Sequence, residues 1–182
     1  VMLISNIREN GEPIGALPDG EMMFHHDMMH AELPHKATML NAVEIPSHGG
    51  NTLFASGYAA YDTLPDDIRT PLEGKRAFHH YNYGTTVKGK GDGIEAFAES
   101  SHPAFRTHDD TGRKAIYVNR LMTEGIVDMD QAEADRLLAA VFDHSESPEF
   151  VYEHEWQVGD LLLWDNRCSM HTRTDFRKPN AG

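Results

Sequence analysis

Several features that mark particular protein classes are scarce in this chain of 182 residues. It contains one cysteine, Cys168, which cannot form an internal disulfide, so a disulfide-stabilised secreted domain is excluded and we expect a cytoplasmic protein. Positive charge is also scarce, with 16 lysines and arginines against 29 aspartates and glutamates, so no nucleic-acid partner is expected. The apolar runs, such as 137–142 and 161–164, are too short to cross a bilayer, so no membrane partner is expected.

The remaining composition is that of one folded domain, which we expect to occupy residues 1–182. Hydrophobic residues make up 40% of the chain and charged residues 25%, which is enough apolar material for a core and too little charge for disorder. The first residue, Val1, is not a methionine, and the chain ends at Gly182 in a polar run. We therefore expect the natural protein to be longer and the domain to be incomplete at both ends.

Short apolar and β-branched runs bounded by glycine, proline and asparagine predict strands at Val1–Ile7, Thr38–Ile45, Lys75–Tyr83, Lys114–Asn119, Phe150–Gln157, Leu161–Asp165 and Ser169–Thr174. Two helices are predicted, Gly57–Leu64 and Asp130–His144, the second opening with Asp130 and Glu133 as a capping box. Because no regular crossover helices separate the strands, a parallel doubly wound sheet is disfavoured. The pattern predicts a mainly β fold, an antiparallel sandwich or jelly roll with helical insertions.

The chain has 12 histidines, and three of them lie in the segment Phe24-His25-His26-Asp27-Met28-Met29-His30. Histidine is a common metal ligand, and two kinds of metal site are compatible with this segment. In an extended segment, His25 and Asp27 point to the same side and bind one metal together, with a third ligand from elsewhere. In a helix, His26 and His30 share a face and resemble the ligand pair of zinc hydrolases.

A late histidine favours the extended arrangement. The His-x-Asp pattern alone has little specificity, since it recurs at His108-Asp109-Asp110. However, a buried-looking strand at 161–164 is followed by His171, and antiparallel pairing can bring a late strand beside an early segment. Two histidines and one carboxylate on one face of a metal leave positions open, which suits non-haem Fe(II) that binds a co-substrate and O2. His171 is therefore the candidate third ligand.

Four blocks resemble a known family: FHHDMMH, PSHGGNTLFASGYAAYDTLP, HPAFRTHDDTGRKAIYVN and WQVGDLLLWDNRCSMHTRTDF. In this order they are similar to the taurine dioxygenase and 2,4-D dioxygenase family of Fe(II)- and 2-oxoglutarate-dependent oxygenases, and the resemblance covers nearly the whole chain. It implies a double-stranded β-helix, a form of jelly roll, with iron held by His25, Asp27 and His171. It also implies that Thr52 hydrogen-bonds a 2-oxoglutarate carboxylate and that Trp164 lies near the iron.

The chain departs from the family pattern at three places. Phe24 stands where many relatives have tryptophan, and Asn51 stands where a GGDT block is commoner, but neither change alters the ligand set. The family also places an arginine beyond its last histidine, where it pairs with the distal carboxylate of 2-oxoglutarate. Arg173 and Arg177 follow His171 without matching that position, so we expect this arginine beyond Gly182.

The expected function is that of a dioxygenase, which hydroxylates a small, acidic organic substrate with Fe(II), 2-oxoglutarate and O2 and gives succinate and CO2. Met28 and the loop Gly84–Ser101 are the expected substrate contacts, and Cys168 is expected to be a buried thiol rather than a nucleophile. Two alternatives stay open: a zinc-dependent hydrolase using His26 and His30, and a non-catalytic domain that kept the fold. The sequence also leaves open whether the protein forms a homo-oligomer.

Overall fold

The computed structural model describes residues 2–5, 7–10, 12–15, 22–82 and 97–175. These residues form the strands β1 (Arg8–Glu9), β2 (Glu12–Pro13), β3 (Ala37–Asn41), β4 (Thr52–Ser56), β5 (Arg76–Asn82), β6 (Phe97–Pro103), β7 (Phe105–Thr107), β8 (Lys114–Ile116), β9 (Thr123–Ile126), β10 (Val151–His154), β11 (Leu161–Asp165) and β12 (Ser169–Arg173). The helices in the same part of the chain are α1 (Gly57–Thr63), α2 (Asp66–Leu72) and α3 (Gln131–Ser145), and a 3-10 turn covers Pro148–Phe150. The predicted mainly β fold with helical insertions is confirmed at this level.

All the strand pairs in the described residues are antiparallel. β4 lies between β10 and β12, β5 lies between β6 and β9, and three two-stranded sheets are formed by β1 with β2, β3 with β11, and β7 with β8. Many of these pairs join distant parts of the chain, such as β4 with β12. This pairing places the segment after Thr52 beside the segment that contains His171.

Capping residues precede the first residues of α1 and α3. Asp130 precedes α3, and its side chain accepts hydrogen bonds from the backbone N–H groups of Ala132 and Glu133, which satisfies two of the donors left free at a helix start. Ser56 caps α1 in the same way by accepting from Ala59 N–H. The predicted helix Gly57–Leu64 differs from the observed α1 only in its last residue. α2, which contains Pro71, was not predicted.

Several strands differ from the predicted ranges. Residues 2–5 and 7 are not in a strand, and β3 and β8 end earlier than predicted. β8 ends at Ile116 because its partner β7 has only three residues, and Asn119 then enters a turn in which its side chain accepts from Met122 N–H. β4, β6, β7 and β9 were not predicted, and β6 occupies residues assigned to a loop.

The main core lies between α1, α3 and the strands packed against them. α3 buries one face, consisting of Ala134, Leu137, Leu138, Val141 and Phe142. This face meets apolar side chains from several other elements: Ala60, Leu72, Ala77, Phe105, Ile116 and Ile126. α1 follows β4 directly and packs against β8 and β12, so it connects this core to the sheet that contains β4 and β12.

The two-stranded sheet of β3 and β11 has two unlike faces. Thr38 is directly opposite Trp164, and their side chains lie on the more buried face. Met39 and Leu163 lie opposite each other on the other face and are exposed. No helix formed by the described residues is long and apolar enough to cross a membrane.

Candidate metal centre

His25 and His171 are brought together by backbone pairing. Their N–H and C=O groups exchange two hydrogen bonds, of 3.0 and 2.9 Å, which makes an isolated antiparallel bridge between the segment before β3 and β12. Residues that face each other in this way project their side chains to the same side. The two imidazole rings accordingly have centroids 4.3 Å apart.

Asp27 completes a group of three candidate ligands with these histidines. Its Oδ1 lies 3.7 Å from Nε2 of His25 and 3.7 Å from Nε2 of His171. One ligand atom from each residue lies within 4.8 Å of the other two. The sequence-predicted residues His25, Asp27 and His171 therefore converge in the folded chain, with three nitrogen and oxygen donors facing one point.

The donor atoms of the three residues suit a divalent cation. His25 donates from Nδ1 to the Met23 carbonyl over 3.0 Å, which orients the ring with Nε2 toward Oδ1 of Asp27. Burial and the neighbouring His25 hold the pKa of His171 well below its ordinary value, so this imidazole is neutral. Burial alone would raise the pKa of Asp27, but the pKa is lowered, and the hydrogen bond that Oδ2 accepts from the Thr38 hydroxyl stabilises the carboxylate form. Two imidazoles and one carboxylate form a donor set that fits Fe(II) or a similar metal.

Thr52 lies at the start of β4, next to this group in the sheet. Its backbone pairs with Arg173 of β12, two residues after His171, so Thr52, Arg173 and His171 lie on one face of the sheet. Trp156 donates from its indole N–H to Oγ1 of Thr52 over 3.0 Å. This contact was not predicted from the sequence, because 104 residues separate the two side chains.

Aromatic side chains surround His171. The rings of Trp164 and Phe54 have centroids 4.8 and 6.1 Å from the imidazole. Trp164 therefore lies beside the candidate ligand His171. These rings limit the access of water to one side of His171.

The arrangement required for a zinc hydrolase is not present, and that alternative is wrong for this segment. Residues 27–30 form a turn rather than a helix, so His26 and His30 do not share a helical face. His26 is hydrogen-bonded to Asn119, with its ring against Tyr117, and His30 stacks on Tyr81. The turn reverses the chain directly after Asp27, and Met28 has a left-handed backbone with φ of 56°.

A second group of candidate ligands consists of His108, Asp165 and Cys168. Both ring nitrogens of His108 are already used in hydrogen bonds. Nδ1 accepts hydrogen bonds from two backbone N–H groups, and Nε2 donates to Asp165 over 3.0 Å. Arg167 also binds the Asp165 carboxylate. Cys168 is only partly buried, and burial raises the pKa of its thiol, which agrees with an unreactive side chain. The group acts as a structural brace at the turn between β11 and β12.

The expected substrate loop Gly84–Ser101 lies mostly outside the described residues, which exclude residues 84–96. The remainder is not a loop, because it belongs to β6 and pairs with β5. Arg177 also lies outside the described residues.

A family model described as "Taurine catabolism dioxygenase TauD, TfdA family" matches residues 1–182. The chain belongs to the TauD, TfdA family. A member from Burkholderia sp. (strain RASC), the alpha-ketoglutarate-dependent 2,4-dichlorophenoxyacetate dioxygenase, is 37% identical over 153 residues, which cover 82% of this chain and 51% of that protein. Pentalenolactone F synthase of Streptomyces avermitilis is 34% identical over 194 residues, covering 97% of this chain and 63% of that protein.

A solved structure has the same fold over most of the chain. The crystal structure of AAD-2 in complex with Mn(II) and N-oxalylglycine matches with a TM-score of 0.77 and 32% identity, over 85% of this chain and 57% of that one. The chain thus spans about half to two thirds of the length of the relatives that it matches.

Proposed function

We propose that this TauD, TfdA family member is an Fe(II)- and 2-oxoglutarate-dependent dioxygenase with His25, Asp27 and His171 as its metal ligands. The observation that carries the proposal is the convergence of His25 Nε2, His171 Nε2 and Asp27 Oδ1 on one point. When bound, Fe(II) and 2-oxoglutarate supply the O2 activation that oxidises a substrate carbon and releases succinate and CO2. The chain's own part is to hold the metal on one face, bind the co-substrate and restrict water.

We also propose the finer features of the fold and setting. The antiparallel pairing of β4 with β12 and of β3 with β11 supports a double-stranded β-helix, a jelly roll, and a single domain over residues 1–182. The proposed substrate is a small organic acid, a proposal supported by relatives named for phenoxy acids, such as (S)-phenoxypropionate/alpha-ketoglutarate-dioxygenase. Met28, directly after the proposed ligand Asp27, remains the proposed substrate contact. A cytoplasmic protein without nucleic-acid or membrane partners fits its net charge of −13, and self-association into a homo-oligomer is compatible with it.

Thr52 has a defined role in this proposal. An indole N–H can only donate, so Thr52 Oγ1 accepts from Trp156 and its own hydroxyl hydrogen is left to donate elsewhere. A carboxylate of 2-oxoglutarate is a suitable acceptor, because it can only accept. Trp156 thus orients the hydroxyl of Thr52 toward the co-substrate.

Turnover is the direct test of the proposed function. With Fe(II), ascorbate and O2, the full chain is expected to convert 2-oxoglutarate to succinate in the presence of the right member of a panel of phenoxy acids, sulfonates and carboxylates. The measurement is succinate released together with loss of the panel compound. Reactions without Fe(II), or under nitrogen, should release none. Bound metal without succinate for any compound would instead support a non-catalytic domain, and product formed under nitrogen would contradict the proposed O2-dependent reaction.

Thr52→Val is expected to weaken 2-oxoglutarate binding by about ten- to a hundredfold, because one hydrogen bond to a charged carboxylate is lost. Titration of 2-oxoglutarate into the metal-loaded protein measures the effect. Thr52→Ser keeps the hydroxyl and should stay near the wild-type affinity. Equal affinities for the wild type and Thr52→Val would show that Thr52 does not bind the co-substrate.

A further inference from the structure

A chain of side-chain hydrogen bonds runs from Trp164 to the proposed ligand Asp27. The indole N–H of Trp164 donates to Oδ1 of Asn166 over 3.1 Å. The amide of Asn166 donates from Nδ2 to Oγ1 of Thr38 over 2.8 Å, and the Thr38 hydroxyl donates to Oδ2 of Asp27 over 2.6 Å. The chain thus connects β11, the turn after it, β3 and the segment that carries two of the three candidate ligands.

The backbone fixes the positions of Trp164, Asn166 and Thr38. Thr38 and Trp164 are direct cross-strand partners on the more buried face of the β3–β11 sheet. Asn166 extends this ladder by one further hydrogen bond, since its N–H donates to the Lys36 carbonyl over 2.9 Å. Asn166 is completely buried. The side chains therefore meet because of the strand register and not through a mobile surface contact.

The chemistry of Trp164 and Asp27, at the two ends of this hydrogen-bond series, sets the direction of each hydrogen bond in it. Trp164 can only donate, so the Asn166 oxygen must face it and the amide nitrogen must face Thr38. Thr38 Oγ1 receives this bond, which leaves its hydrogen for Asp27, and an ionised carboxylate can only accept. The three hydrogen bonds are therefore compatible with one orientation of the Asn166 amide and of the Thr38 hydroxyl. A short bond to a charged oxygen is also the stronger kind of hydrogen bond.

The consequence for Asp27 is that its two oxygens are not equivalent. Oδ2 is occupied by Thr38, and among the residues that the structure describes Thr38 is the one side-chain or backbone donor to this carboxylate. Oδ1 faces Nε2 of both histidines at 3.7 Å, a distance too long for a direct hydrogen bond. The carboxylate is thus turned so that one oxygen is held by the protein and the other is offered to a metal.

We propose that Thr38 and Asn166 are positioning residues for the metal centre: they fix Asp27 as a ligand through one oxygen only. This inference rests on the proposed metal ligands. Outer residues of this kind orient a ligand and tune its affinity for metal, although they do not touch the metal. The hydrogen bond at Oδ2 turns Oδ1 toward the two histidines and disfavours binding of the metal through both oxygens, which would use a position needed for the co-substrate or O2.

Thr38→Val tests the proposal because it removes the hydroxyl and keeps the branched shape of a strand residue. We expect the dissociation constant for Mn(II) to rise by about ten- to a hundredfold, measured by calorimetry without 2-oxoglutarate. The absorption bands of the Co(II)-loaded protein should also change in position or intensity, since the geometry of the carboxylate changes. Thr38→Ser restores the hydroxyl and should return both readouts to near wild-type values.

The matched control is Thr63→Val, which removes the hydroxyl of an exposed residue at the end of α1, outside the candidate ligand group. Its metal affinity and Co(II) spectrum should equal those of the wild type. The thermal midpoint of each metal-free variant separates positioning from packing, and Thr38→Ala serves if Thr38→Val does not fold. Unchanged Mn(II) affinity and Co(II) spectrum in a folded Thr38→Val or Thr38→Ala protein would overturn the inference while leaving the proposed ligands in place. If the wild type itself bound no metal, both the proposed centre and the inference would be wrong.

Discussion

His171→Ala is expected to abolish measurable Fe(II) binding and, with it, 2-oxoglutarate turnover. His171 supplies one of the three candidate donors that converge in the described part of the chain, and burial lowers its pKa, so the imidazole is neutral and ready to bind a metal. The two remaining donors, His25 and Asp27, are two residues apart on one segment. Without His171, no donor approaches the metal from β12. Metal content after loading and gel filtration, together with calorimetry using Mn(II), measures the effect.

The control for this prediction is His48→Ala, which removes an exposed histidine outside the ligand group. It should keep the wild-type metal stoichiometry. His171 also packs against Trp164 and Phe54, so the thermal midpoint of the metal-free variant must be compared with that of the wild type. A folded His171→Ala protein that still bound one equivalent of Fe(II) would exclude His171 from the centre.

Local sequence patterns predicted the parts of the fold that depend on local chemistry. Strand β11 was predicted at its observed bounds, and α3 was predicted from the spacing of its apolar residues and from the cap at Asp130. Strand β6 could not be predicted in this way, because its sequence, FAESSHP, is polar and forms a strand only by pairing with β5. Such strands depend on their neighbours more than on intrinsic preference.

The same limit applies to the candidate site. His25, Asp27, Thr52 and His171 could be named because four sequence blocks resemble a family. Thr38 and Asn166 carried no signal, since they are 128 residues apart and meet only through the register of β3 with β11. A single sequence does not reveal that register, and a shift of one residue would turn Thr38 to the opposite face. The proposed ligands could therefore be named from the sequence, but the residues proposed to orient Asp27 could not.

Acid is expected to destabilise the metal-free protein through His79, which lies in β5 away from the proposed ligands. The side chain is completely buried, and Nδ1 lies 3.1 Å from the hydroxyl of Thr123. Burial, and then the nearby His102 and Arg76, lower the pKa of His79 from 6.5 to about 3. The folded protein therefore keeps His79 neutral at pH values where the unfolded chain already binds a proton.

The sign of the effect follows from this difference in proton binding. Between the folded pKa and the unfolded one, the unfolded state binds more protons, so the free energy of unfolding falls as the pH falls. The limiting slope for one group is about 1.4 kcal/mol per pH unit. Going from pH 7 to pH 5, this group alone should cost about 2 kcal/mol, with most of the loss below the ordinary histidine pKa. Urea unfolding of the metal-free protein at both pH values measures it.

His79→Gln isolates this contribution, because glutamine does not titrate in this range and can still hydrogen-bond Thr123. The variant should be less stable than the wild type at pH 7, since the ring packing against His102 is lost. Its further loss of stability on going to pH 5 should nevertheless be smaller than that of the wild type by about 2 kcal/mol. His48→Gln, which replaces an exposed histidine, is the control for the same substitution at a surface position. Parallel pH profiles for the wild type and His79→Gln would mean that His79 takes up its proton in the folded protein as readily as in the unfolded chain, and the acid sensitivity would then have to come from other groups.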